Sequence, residues 1–177
     1  MSSHDRDRQV SPDTLRKVVG RFTTGVTVVT ALDTNGGPAG CTVSAFASLS
    51  LDPPLVLVCI DSRRPMHTNL LRSNGFAVNI LAAGQEALAL GFARPSADKF
   101  AGVGYRPGRH GVPLLHGAVA QLECDLAGTY AGGDHTIVLG RVAVAREVPG
   151  EPLVYGEGRF LDSVRRTSDR AMATAPE

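Results

Sequence analysis

The sequence predicts a mainly β protein, a closed antiparallel barrel with short helices plugging its ends and flanks. Three features carry this reading: many short β-branched or alternating runs of even spacing, Gly-rich hairpin turns between them, and helical stretches of only a few turns. At 177 residues and 43% apolar composition the chain fits a single globular domain around one core. A doubly wound sheet fits poorly. Gly102-Val103-Gly104 runs on to Pro107 and lacks the third glycine of the dinucleotide fingerprint, and neither a Walker phosphate loop nor a Gly-x-Ser-x-Gly turn occurs.

Ser11-Pro12 followed by Leu15, Val18, Val19 and Phe22 reads as a capped helix with one apolar stripe, expected to pack as a lid on the sheet. From Val26 to Ala31 the residues are β-branched, and Asn35-Gly36-Gly37 turns the chain into a second strand over Ala39 to Leu49. Pro53-Pro54 separates this from Leu55 to Ile60, an unbroken apolar run that reads as a strand buried on both sides. Ser62 to Arg72 predicts a short helix with a left-handed cap at Asn74-Gly75, followed by a strand over Phe76 to Leu81 and a helix over Gln85 to Ala93. Ser96 to Pro113, punctuated by Gly102, Gly104, Gly108 and Gly111, reads as a functional loop. Gln121 to Leu126 alternates, and Asp134 to Val148 forms a second long strand after a Gly132-Gly133 turn. Residues 1–10 read as a disordered N-terminus, 11–164 as the domain and 165–177 as a disordered tail.

Eighteen Lys and Arg against seventeen Asp and Glu leave a net charge of +1, which gives no field to attract nucleic acid or an anionic membrane. Met1 to Val10 lack the basic stretch and apolar core of a secretory signal, and no apolar run reaches membrane-spanning length. Cys41, Cys59 and Cys124 lie far apart in apolar or alternating stretches, as small buried hydrophobes do in a reducing compartment, so a cytoplasmic location is expected. Neither they nor the five histidines show metal-ligand spacing, and no metal site is expected.

The most informative stretch runs from Gly40 to Pro54. Its hydroxyls at Thr42, Ser44, Ser48 and Ser50 would line one strand edge, a surface suited to a flat polar ring with acceptors along one side. A solvated edge whose hydroxyls satisfy turns fits the same composition. His135 stands between a glycine turn and a β run, whereas His67, His110 and His116 have no such context and read as structural.

Taken with Gly25 to Thr30 before it, Phe76 to Leu81 after it and Gly133-Asp134-His135-Thr136-Ile137 further on, this stretch resembles the short-chain flavin reductases, the reductase components of two-component flavin monooxygenases. The likeness runs from about Leu15 to Phe160, with four motifs in the family's order. It implies an FMN-binding split barrel, a homodimer, and FMN or FAD held near the interface. It further implies that Thr42, Val43, Ser44 and Ala45 with Ser48, Leu49 and Ser50 hold the flavin ring and ribityl chain, and that Ser62, Arg63, Lys99 and Phe100 serve its phosphate. The same resemblance sets His135 beside the nicotinamide of NADH or NADPH as the catalytic residue, and matches Tyr155 and Arg159-Phe160 to a terminal aromatic segment that closes over the site. Packing against the barrel is an equal account of that segment. Hydride transfer needs no acid or nucleophile from the protein, so the lack of a triad or carboxylate pair agrees with the resemblance. Reduced flavin would then diffuse to a separate flavin-dependent monooxygenase. Two other readings keep the fold: a barrel that retains its flavin and reduces another acceptor, and a non-catalytic flavin- or haem-binding barrel.

Overall fold

The computed structural model describes residues 10–96 and 98–162. Of the termini expected to be disordered, 1–10 and 165–177, all but Val10 lie outside the described residues, as does the predicted domain end at 164. Among the described residues, no helix is long and apolar enough to cross a membrane.

Seven strands form one antiparallel sheet. β2 (Thr27–Leu32) pairs with β3 (Pro38–Val43), β4 (Phe46–Leu51) with β5 (Pro54–Asp61), and β6 (Gly75–Ile80), β9 (Ala120–Gly132) and β10 (His135–Glu147) connect these hairpins in the order β3-β2-β6-β9-β10-β5-β4. The β2–β3 turn forms because the Asp33 carboxylate accepts the amides of Asn35 and Gly37, both at 2.8 Å, while Gly36 takes a φ of +83° that costs it nothing sterically.

The strand expected over Ala39 to Leu49 is two strands. It breaks at Ser44-Ala45, where the Phe46 amide donates to Ser44 O at 2.9 Å, and its halves become the opposite edges of the sheet. Val43 of one edge strand and Val56 and Val58 beside the other share a single buried cluster with Val29, Val78 and Phe76. The sheet therefore curls into a barrel whose edge strands are not hydrogen-bonded to each other, so it is split and not closed.

Helix α2 (Pro65–Arg72) seats Met66 and Leu70 in that barrel core. The residue that ends it, Ser73, is extended, and Gly75 opens β6 without the left-handed cap expected there. Gly75 is required for space instead, since a Cβ would meet Cys124 O and the His110 ring. β5 alternates: Val56, Val58 and Ile60 point into the core while Leu55, Leu57 and Cys59 are only half-buried on the outer face, so burial on both sides is not what this chain achieves. Cys124 is buried as expected, but Cys41 and Cys59 are half-buried, and all three are free thiols.

A second cluster lies outside the barrel wall. Helix α3 (Glu86–Ala93) and the segment after it cover the outer face of β2 with Ala89, Phe92 and Phe100 against Val28 and Leu81. The Ser96 to Pro113 segment folds in part, with β7 (Tyr105–Pro107) pairing with β8 (Pro113–Leu115) around a tight turn. Where these layers meet, Asn79 is fully buried. Its Nδ2 donates to Val28 O at 3.1 Å and Thr30 Oγ1 at 3.2 Å, and its Oδ1 accepts from Leu115 N at 2.9 Å and Gln121 Nε2 at 3.1 Å. A satisfied buried amide of this kind specifies one register among β2, β6, β8 and β9.

Helix α1 (Pro12–Val19) begins as the sequence predicts, with Ser11 Oγ accepting from Thr14 N at 3.2 Å. It does not pack on the sheet. Val18 is 64% and Phe22 76% exposed, because α3 already occupies the β2 face and α1 is tied only at its end, where Glu157 N donates to Gly20 O at 2.7 Å. A small ribbon of β1 (Thr24–Gly25), β11 (Val154–Gly156) and β12 (Arg159–Leu161) completes the fold.

Gly140 on β10 lies under the Phe76 ring, where a Cβ would sit 2.5 Å from Cζ and 2.8 Å from Cys124 Cβ. Gly140→Ala should therefore lower stability by about 1–3 kcal/mol through overpacking. Gly91→Ala on exposed α3, where no atom lies within 4 Å, should raise it by up to about 1 kcal/mol. Denaturant melts of the two variants against the parent chain check both signs.

Candidate functional site

Three turns meet at one end of the barrel. β5 ends at Asp61, β10 begins at His135 directly opposite it, and the Ser44-Ala45 corner lies on the other side of β5, where Cys59 N donates to Ala45 O at 3.0 Å. His135 and the corner are thus two strand spacings apart, about 10 Å. Ser62 N donates to Asp134 O at 3.0 Å and clamps two of these turns together. The first turns of α2 are tied in as well, since His67 Nε2 lies 2.9 Å from Thr136 Oγ1, with Ser62 Oγ 3.5 Å from the same hydroxyl.

The charges here are ordered. Asp61, with a side chain only 19% exposed, accepts Arg63 N, Nε and Nη2, each at 2.9 Å, and Arg64 Nε lies 3.9 Å away. These bonds from Arg63 hold the Asp61 carboxyl far below the usual carboxylate range. His135 Nδ1 lies 2.7 Å from Asp134 Oδ1, and that hydrogen bond also holds the Asp134 carboxyl below its ordinary value. An ionised carboxylate can only accept, so Nδ1 carries a proton toward Asp134, and a ring with no second proton presents Nε2 as an acceptor. His135 is half-buried and Asp134 exposed.

On the corner side, Thr42 Oγ1 donates to Ala89 O of α3 at 2.6 Å, and Val43 is buried with its carbonyl accepting Thr27 Oγ1 at 2.6 Å. Ser44, Ala45, Ser48 and Leu49 are exposed and Ser50 half-buried. The hydroxyls do not share one alternating face as expected: Thr42 and Ser44 precede or form the corner, and a bulge between Ser48 and Ser50 breaks the alternation on β4. Among the described residues the Ser44, Ser48 and Ser50 hydroxyls have no protein partner.

Lys99 reaches this edge from the segment after α3. Its Nζ donates to Phe92 O at 2.8 Å and Gly40 O at 3.4 Å, and burial, aided by the nearby Arg64 charge, lowers its pKa. Burial pushes the Cys41 thiol up to about 11 against the opposing pull of Lys99 and Arg64. Lys99 is thus held beside β3, with the Arg64 charge near enough to act on both groups. Phe100 packs edge-on against Phe92 and Tyr105, at 5.0 and 5.3 Å between centroids, and its amide is held by Asp98. Tyr155 pairs with Thr24 on the outer ribbon and lies edge-on to Phe160 at 5.4 Å.

The structure therefore brings Ser44, Ala45, Ser62, Arg63 and His135 to one end, sets Lys99 on the adjoining edge, and commits the Thr42 hydroxyl and the Phe100 ring to packing. It adds Asp61 and Arg64, which the sequence motifs do not single out. The Asp-x-Arg spacing at a strand end is a readable signal for the Asp61 turn, whereas Arg64 and Lys99 are too distant in sequence for spacing to join them. No residue from Thr42 to Ser50 lines either of two cavities in the surface: one, of about 320 Å³, lies beside Asp33, Arg72 and His110, and the other, of about 520 Å³, beside Arg106, Gln121 and Arg146. Among the described residues no cluster of three or more His, Cys, Asp or Glu is placed to hold a metal.

Comparison with known proteins matches residues 19–163 to the flavin reductase like domain. The chain belongs to this flavin reductase-like family. It is 47% identical over 154 residues to an NADH-dependent FAD reductase of Streptomyces globisporus, with 82% of each chain covered. It is 43% identical over 145 residues to the reductase component of a 4-nitrophenol 4-monooxygenase/4-nitrocatechol 2-monooxygenase of Rhodococcus opacus, covering 82% of this chain and 77% of that one. Its fold superposes with a TM-score of 0.84 on the Streptomyces globisporus NADH:FAD oxidoreductase solved in complex with NAD and FAD fragments, at 43% identity, over 91% of this flavin reductase-like chain and 99% of that chain. The chain spans about half, 53%, of the length of another curated relative, from Rhizobium meliloti.

Asp61 supplies a pH test. Its folded pKa lies below the ordinary 3.8, so its contribution to stability is complete above that value and is lost as pH falls through the lowered folded one. Asp61→Asn should melt at a lower temperature than the parent chain at neutral pH. The gap should narrow as the pH is taken below 3.8; a gap independent of pH would show that the carboxylate charge is not what Asp61 contributes.

Proposed function

We propose that this chain is an NADH:flavin oxidoreductase that reduces FMN or FAD and supplies the reduced flavin to a separate flavin-dependent monooxygenase. The observation that carries the reading is the convergence of an open polar strand corner, two cations and an oriented histidine on one end of a flavin reductase-like barrel.

The residues fit a flavin. Among the described residues Ser44, Ser48 and Ser50 have hydroxyls without a protein partner and β3 and β4 are sheet edges with backbone groups unpaired on one side, and Lys99 and Arg64 supply positive charge for a phosphate. Ala45 and Leu49, without polar side chains, offer contact area and backbone donors. Ser62 stays in contact with Asp134, and Arg63 is held by Asp61, so Arg64 is the freer arginine of the pair for that phosphate. When bound, flavin supplies the two-electron acceptor for the nicotinamide hydride. The protein's part is to hold the two rings in contact and exclude water, and no side chain needs to ionise in the step. His135 has a specific role: with Nδ1 protonated toward Asp134, Nε2 accepts a hydrogen bond from the nicotinamide carboxamide. Tyr155, beside Phe160, sits on the ribbon that would close over the bound rings.

One chain leaves this site open and its apolar surfaces uncovered. The α1 stripe (Leu15, Val18, Val19 and Phe22) and Leu49 and Leu51 on β4 are all exposed. A homodimer covers these surfaces and walls the site. Three free cysteines suit a reducing, cytoplasmic setting.

The purified chain should oxidise NADH only when FMN or FAD is added; equal turnover by flavin-free protein would sink the proposal, and a stoichiometric flavin that never leaves would favour reduction of another acceptor. His135→Ala should raise the KM for NADH about tenfold, the value of one hydrogen bond, with flavin Kd and melting temperature little changed. A structural histidine would lose all three together. Sedimentation should find a dimer at micromolar concentration, and Leu15→Asp with Phe22→Asp should release monomers.

A further inference from the structure

A second set of charges lies far from these turns. β7 and β8 border, with the start of β9 and the end of β10, an open groove of about 520 Å³, within the size range of small-molecule sites. Along β10, His135 and Glu147 are separated by up to about 40 Å at strand rise, so nothing bound here touches the hydride site.

Gln121 is the pivot of this cavity. Its Nε2 donates to Leu115 O at 2.7 Å and to the buried Asn79 Oδ1 at 3.1 Å, which locks the amide and turns Oε1 toward Arg106 Nη2 at 3.4 Å. Arg146 stands directly opposite Gln121 in the β9–β10 register, so its side chain rises from the same face. Two guanidinium groups therefore flank one fixed amide. Neither is neutralised at close range: Arg106 has no ion pair among the described residues, and Arg146 reaches only Glu123, at 3.9 Å, whose other oxygen holds the Arg109 amide. Among the described residues, Glu147 is the one acidic residue on the lining. Val119 and Ala120 are half-buried on the lining and Val148 is exposed at the rim, above the fully buried Leu114 and Leu115.

We infer that this cavity binds a small organic carboxylate, its head between Arg106 and Arg146 and its apolar body over Val119, Ala120 and Val148. Charge complementarity selects the head, because an anion here meets one guanidinium with no ion pair among the described residues, Arg106, and a second, Arg146, held only by a 3.9 Å contact to Glu123. The apolar lining selects the body. The site is independent of the flavin end.

Benzoate and benzyl alcohol, which share a ring and differ in charge, test this by titration into the full ¹⁵N-labelled chain with amide shifts as the readout. Benzoate should shift the amides of residues 115–121 and 146–148 saturably, and benzyl alcohol should bind at least about tenfold more weakly, the cost of losing a charge-assisted contact. Arg106→Gln combined with Arg146→Gln should raise the benzoate Kd at least about tenfold and leave flavin-dependent NADH oxidation unchanged. The inference is overturned by any of four results: no saturable shift up to about 10 mM, equal binding of the alcohol, an unchanged Kd in the double variant, or shifts confined to residues 42–50 and 134–136. Should the double variant fail to fold, the comparison of the two probes on the parent chain decides alone.

Discussion

At Ser44-Ala45 the backbone leaves one edge of the seven-stranded sheet and becomes the other edge. Because β3 and β4 are consecutive in the chain yet terminal in the sheet, the sheet must curl until its edges meet at this corner, and Val43 and Val56 then share one core. The edges touch without pairing, which leaves backbone donors and acceptors beside an exposed Ser44. Barrel shape, split and binding surface follow from the same crossover. A barrel closed by hydrogen bonds would keep the core and lose the shelf.

Electrostatics at that end are arranged to hold groups in place. Asp61 takes three hydrogen bonds from Arg63, Asp134 takes one from His135, and the Ser62 amide links the two turns, so each charge beside the histidine has a fixed partner. The outcome is a histidine held by Asp134, which suits a reaction whose cofactors carry their own redox chemistry. Lys99 differs. It is bonded only to carbonyl oxygens, with Arg64 as its charged neighbour, so its positive charge stays available.

The exposed face of α1 has the same origin as the second core cluster. Once α3 and Phe100 cover the outer side of β2, that face is no longer open to Leu15 and Phe22, which stay exposed. An amphipathic helix held only at its end is stable in proportion to what another molecule buries of it.

Much of the fold is legible in the chain itself. The Ser11 cap, the Asp33 turn, the two long strands and the short helices follow from local chemistry, because capping, turn formation and alternation depend on residues within a few positions of one another. The family motifs likewise single out His135 and the hydroxyl-rich stretch; the Ser44-Ala45 corner shares the His135 end of the barrel, whereas Ser48 and Ser50 run along β4 toward the far end of β5. Local pattern fails where a contact is distant: the corner at Ser44 depends on β5, the exposed face of α1 on α3, the engagement of Thr42 on Ala89, and the meeting of Arg64 with Lys99 on α2 and the segment after α3. Apolar run length likewise cannot show that β5 buries one face only, since that depends on which elements cover each side. Sequence determined which segments form strands and which residues are chemically able to serve; tertiary structure decided which of them remain free, because a hydroxyl or cation is available only if no distant neighbour has already taken it.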